Sequence, residues 1–136
     1  MADKQRVRDG EGNAGERVME GVTNQLEHYM DLLSARQQLV ISNLANIDTP
    51  GYKAKDIDFQ SEFAGFMEGD SFPAGMRFAP RVIEAPDLVI KSDGNNVSLD
   101  REARLLAENA LRFGVASSLM KAQLKIVESA IKEGPA

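Results

Sequence analysis

The last third of the chain carries the pattern that most restricts its fold. Leu99, Ala103, Leu106, Ala110, Phe113, Ser117, Met120, Leu124, Val127 and Ile131 follow one another at alternating steps of four and three. Sustained heptad spacing is the requirement of coiled-coil packing, and it predicts one helix over residues 99–133. Ser98 or Asp100 can cap its start, Asp100 and Glu102 suit the positive helix N-terminus, and Gly134-Pro135 ends it. Nearly opposite lies a second apolar stripe of Leu105, Val115, Leu119, Ala122 and Ile126, centred roughly 160° away at about 100° per residue. A helix apolar on two sides needs two partners. The expectation is that Leu106, Phe113, Met120, Leu124 and Val127 pack within the chain, while Leu105, Val115, Leu119 and Ile126 meet a neighbouring subunit. Gly114, Ala116, Ser117 and Ser118 would let backbones approach closely midway along.

The partner within the chain is legible near the other terminus. Met19, Val22, Leu26, Tyr29, Leu33, Val40, Leu44 and Ile47 fall on one helical face and predict a helix over residues 16–47, with Leu26, Leu33 and Val40 at its packing face. Arg36 and Asn43 occupy places in that stripe where an apolar residue is expected. At about 1.5 Å per residue both helices would be on the order of 50 Å long, and matched lengths point to an antiparallel pair. Residues 1–15 are polar and Gly-rich and read as a disordered tail. Residues 48–98 show no helical period; Arg81–Glu84 and Leu88–Lys91 look strand-like, with Asp93-Gly94 as a tight turn. The fold class is therefore mainly α: two long terminal helices paired as an antiparallel coiled coil, around an irregular middle with short extended or β-hairpin pieces.

The first helix is stopped firmly. Thr49-Pro50-Gly51-Tyr52 suits a type II turn, with Pro fixing φ at the second position and Gly taking positive φ at the third. Asn43, Asn46 and Asp48 are placed to bond helix-end carbonyls and turn amides.

Chemistry is harder to find. Net charge is −5 and the basic residues are scattered, which argues against nucleic acid. There is no Cys, no apolar run of the kind a cleaved signal needs, and no stretch of about 20 apolar residues. Gly10–Gly15 has the letters of a dinucleotide loop but no preceding strand, and reads as flexible tail. His28 lies beside the apolar stripe and reads as a surface residue; Asp56 and Asp58 lack the further oxygens of a metal loop. No catalytic constellation, cofactor site, metal site or small-molecule site emerges, so the chain is read as no enzyme. With 43% apolar and 6% aromatic residues, one helical hairpin buries little area against a large entropy cost. The heptads therefore read as an assembly surface.

The segment Asn43-Leu44-Ala45-Asn46-Ile47-Asp48-Thr49-Pro50-Gly51-Tyr52 resembles the N-terminal motif of bacterial flagellar axial proteins, those of the rod, hook and hook-filament junction. Asn43, Ala45, Asn46, Thr49, Pro50, Gly51 and Tyr52 match it; Asp48 departs, since most of the family has Asn there. With "ARQQLVISNLANIDTPGYKAKDIDF" and "DGNNVSLDREARLLAENALRFGVASSLMKAQLKIVESAI", the resemblance spans about Met19 to Ile131 and looks like that of a short proximal-rod protein. It implies a non-catalytic structural subunit of the basal-body rod, exported without signal cleavage through the flagellar type III export apparatus. Such a subunit assembles above the membrane ring, within the periplasm, through paired terminal helices. The partners implied are other copies, other rod proteins and the ring-rod junction protein. Another short rod protein, or a cytoplasmic helical chaperone or adaptor of a secretion system, is the alternative reading.

Overall fold

A computed structural model describes residues 2–68 and 79–133, with side chains described from Ala14 onward. Five elements follow in order: α1 (Ala2–Ala45), β1 (Lys55–Ile57), α2 (Phe59–Met67), β2 (Val82–Glu84) and α3 (Leu99–Lys132). The protein is thus mostly helical, its two long helices packed against each other with a small antiparallel sheet at the middle of the chain.

α1 and α3 run antiparallel: Asn43 meets Glu102, Leu33 meets Asn109, and Leu26 lies near Ala116. At about 1.5 Å per residue they are about 66 and 51 Å long. α1 begins at Ala2, so the segment expected as a disordered tail is helical in the structure from Ala2 onward. Extending an existing helix needs no new nucleus, which offsets the cost of about 1 kcal/mol for each of Gly10, Gly12 and Gly15. Ser98, rather than Asp100, caps α3, its hydroxyl accepting from Arg101 N–H at 3.3 Å. The expected stop at Gly134-Pro135 lies outside the described residues.

The middle corrects two sequence expectations. A nine-residue helix, α2, follows β1 directly, where no helical period was expected. Its signals are local: Asp58 caps it by accepting from Ser61 N–H, Glu62 sits in the first turn, and Phe59, Phe63 and Phe66 recur at steps of four and three. Those rings hang α2 on α1, Phe59 and Phe63 edge-on to Tyr29 and Phe66 stacked on His28. His28 is consequently buried, 5% exposed, and not the surface residue expected. The second correction concerns pairing. β2 pairs with β1 across a long separation, Lys55 opposite Glu84 and Ile57 opposite Val82, while Leu88–Lys91 forms no strand. Pro86 and the positive φ of Asp87 (60°) end the ladder after Ala85; Leu88 then turns onto the small core of Ala54, Ala85 and Val97, leaving Val89 and Ile90 exposed.

The face of α3 that meets α1 is a further correction. Glu102, Leu105, Asn109 and Ala116 are buried in the seam. The expected packing residues Leu106, Phe113, Leu124 and Val127 are instead exposed, and Met120 is half-buried. Leu105, expected at a subunit contact, is 7% exposed inside its own chain. Polar Glu102 and Asn109 disguised the seam in the sequence. On α1 the facing residues Leu33 and Val40 are buried and Leu26 half-buried.

Candidate functional site

Two features stand out once the hairpin is built: a buried polar junction at its turn end, and uncovered apolar flanks along α3.

The junction begins where α1 stops. Gly51 takes φ +74° and Tyr52 N–H donates to Thr49 O at 3.2 Å, the bond and positive φ of a type II turn. A second turn docks on it. Gly94, at φ +85°, closes the Lys91–Gly94 turn, and Gly51 N–H donates to Asp93 O at 2.9 Å. A Cβ on Gly94 would stand 3.3 Å from the Gly51 Cα, so both residues are held to glycine by φ and Gly94 also by close approach.

Asparagine amides join the pieces. Asn95, fully buried, donates through Nδ2 to Asn46 O (2.8 Å) and Thr49 O (2.9 Å), which satisfies carbonyls at the end of α1. Its Oδ1 accepts from Val97 N–H, and Asn96 Oδ1 accepts from Ala54 N–H. Asn43 does for β1 what a third strand would do. Because Ala85 N–H bonds Ala54 O, the next residue, Lys55, turns its backbone groups away from β2 and toward α1. Asn43 Nδ2 donates to Lys55 O at 2.8 Å and its Oδ1 accepts from Lys55 N–H at 2.9 Å. Tyr52 Oη reaches Asn43 Oδ1 at 3.4 Å and Ser42 Oγ at 3.3 Å. Asn46 Nδ2 donates back to Ser42 O, and its Oδ1 accepts from Thr49 Oγ1. Ala45, Asp48, Thr49 and Pro50 are exposed, and the carbonyls of Asn46 and Thr49 at the helix end are met by Asn95.

Charge completes the junction. Asp56 accepts from Arg36 at both oxygens (3.1 and 3.0 Å) and from Arg101 Nη2 at 2.5 Å. Arg101 Nη1 also donates to Glu102 Oε1 at 2.6 Å, and Glu102 Oε2 accepts from Asn43 Nδ2 at 3.2 Å. Two guanidiniums and two carboxylates thus cancel across α1, β1 and α3. Glu102 is 0% exposed, a burial tolerable only because its oxygens are paired. Arg36 and Asn43, the misfits in the α1 stripe, are the α1 half of this arrangement. Two polar residues in an apolar stripe signal buried polar partners, but not that these are Asp56 for Arg36 and Glu102 for Asn43, nor that Arg101 bridges the two carboxylates and that Asn95 and Asn96 bond the backbone beside them. Nothing in this geometry offers a nucleophile, a general base or converging metal ligands; it holds two helices and a sheet at one angle. Among the described residues no group of three or more His, Cys, Asp or Glu is placed to hold a metal ion.

Along α3 the chemistry reverses. The α1 seam runs between two apolar flanks centred roughly 140° apart at about 100° per residue. Leu106, Phe113, Leu124 and Val127 form one; Val115, Leu119 and Ile126 form the other, each of these three more than half exposed. A groove of about 390 Å³ beside the second flank is lined by Leu26, Tyr29, Leu111, Val115 and Leu119.

The family model described as flagella basal body rod protein matches residues 30–53, the α1 end and turn that build the junction. Curated relatives extend the likeness. The flagellar basal body rod protein FlgB of Escherichia coli (strain K12) is 31% identical over 129 residues, covering 79% of this chain and 91% of the relative. That of Salmonella typhimurium is 32% identical with the same coverage. The Bacillus subtilis protein is 23% identical over 128 residues, covering 86% of this chain and 98% of its own. This chain belongs to the FlgB family of flagellar basal body rod proteins.

Proposed function

We infer that this chain, a structural subunit of the flagellar basal-body rod, is built into the proximal rod through both flanks of α3. The observation that carries this reading is the pair of uncovered apolar flanks on opposite sides of one helix. Burying one large apolar side chain contributes about 1.5–3 kcal/mol, so a helix that leaves seven such residues on its two flanks substantially exposed favours association. Because the two flanks differ in residues, a flank-to-flank contact is head-to-tail. Head-to-tail contacts propagate into rings or helical walls, whereas a self-complementary patch closes at a dimer. The neighbours proposed are further copies of the chain and other rod proteins, with the ring-rod junction protein at the base. Delivery through the flagellar export apparatus to the periplasmic rod, without a cleaved signal, belongs to the same proposal.

The test is Leu119→Asp and Ile126→Asp, each placing a carboxylate on the second flank while leaving the buried seam residues Glu102, Leu105, Asn109 and Ala116 in place. Each variant is expected to be synthesised and soluble yet absent from purified basal bodies by mass spectrometry, with motility lost. Incorporation at the wild-type level would overturn the proposal, as would an assembled structure in which both side chains pack only within their own subunit. Leu105→Asp differs: it strikes the seam and should impair folding itself.

A further inference from the structure

We propose that His28 makes the docking of α2 on α1 dependent on pH, with α2 held down when the imidazole is neutral and loosened when it is protonated. The geometry is specific. The His28 ring stacks on Phe66 with centroids 4.1 Å apart and planes 15° from parallel, and it is buried between the two helices. α2 contains no buried residue of its own, and among the described residues its attachment to α1 includes this stack, the edge-on contacts of Phe59 and Phe63 with Tyr29 and the Arg36 guanidinium over the Phe59 ring. A charge arriving on His28 therefore arrives inside the contact surface between α1 and α2.

Opposing influences act on that charge. Asp31 on α1 and the Glu62 carboxylate on α2 favour the imidazolium, as does a hydrogen bond with the Glu62 backbone. Stacking of a cation on Phe66 also favours it. Burial opposes all of these and prevails: desolvation is the largest influence, and His28 titrates below its ordinary value of 6.5. The undocked state thus binds the proton more tightly than the docked one. Docking is fully stabilised above 6.5 and loses that support as pH falls through the depressed value in the docked state. The change would spread, because Glu62 Oε1 accepts from Arg81 N–H at 3.1 Å, just ahead of β2.

The experiment uses the full chain. The His28 ring is titrated by NMR, and amide exchange across residues 60–67, corrected for intrinsic rates, is measured at about pH 5.5 and about pH 7.5. Protection of α2 relative to Leu32–Val40 is expected to fall several-fold on acidification in the wild type and to stay constant in His28→Gln and His28→Phe. A His28 titration at or above 6.5, equal α2 protection at both pH values, no α2 protection at either, or an equal loss in both variants would each overturn the proposal.

Discussion

At the turn end of the hairpin polar side chains are buried and paired, and along the outer sides of α3 apolar side chains stand in water. Asn43, Asn95, Asn96, Asp56 and Glu102 sit inside the junction with defined partners. Leu119, Leu124, Ile126 and Ile131, far down α3, are all more than half exposed. The usual arrangement is inverted, and the inversion has a physical sense. Polar pairing is directional, so it fixes the angle at which two helices and a strand meet. Apolar burial is non-directional and strong, so it suits the surface on which copies must slide into register. One end sets shape; the other supplies adhesion.

The strongest way to break this contrast is Asp56→Ala. It removes the one carboxylate that both Arg36 and Arg101 meet and leaves two largely buried guanidiniums facing each other. Breaking a buried pair from one side costs about 3–5 kcal/mol. Protection of the Lys55, Ile57 and Val97 amides should then collapse in hydrogen exchange, while the exposed turns of α3 beyond Gln123 exchange as fast as before. Junction amides protected at wild-type levels in the variant would show that the charges are ornamental to the fold.

A smaller effect is expected from Gly51→Val, which puts a β-branched residue at φ +74°. Such backbone strain costs about 1–3 kcal/mol. The Asp93 carbonyl loses its correctly aimed donor, and the chain leaves α1 at a wrong angle. Export should persist and rod incorporation should fail, since the helices survive but their relative direction does not. Normal motility in this variant would remove the turn from any role in assembly.

Much of this architecture was legible because it is periodic or local. The stripe at Leu26, Leu33 and Val40 identified the buried side of α1, and Thr49-Pro50-Gly51-Tyr52 announced its own turn. The choice of face on α3 was not legible. Leu106, Phe113 and Leu124 make the cleaner heptad; Asn43, out of place in the α1 stripe, signals a buried polar partner without identifying Glu102, and Asn109 gives no sign of meeting the Leu33 carbonyl across the seam. A buried polar pair looks like a surface pair until both halves are placed. α2 was missed for a different reason: nine residues give only two repeats of the period, and its cap, Asp58, stands in a short acidic run that reads as neither a metal loop nor a helix start. The missing α2 in turn misplaced His28, because what buries it lies more than thirty residues further along the chain.

The mildest perturbation separates the two regions most sharply. Gly114 lies mid-helix in α3, exposed, and a Cβ there would meet nothing within 4 Å in its own chain. Glycine in a helix interior costs about 0.5–1 kcal/mol relative to alanine, and nothing inside the subunit requires it. Gly114→Ala should therefore raise the helicity and stability of the isolated chain by up to about that amount, measured by circular dichroism and urea unfolding. If the surface between the two flanks is where a neighbour's backbone comes close, the same methyl group should reduce rod incorporation despite the more stable subunit. A variant that is both more stable and fully incorporated would show that the neighbour stands off from Gly114, and that side chains of the flanks alone carry the contact.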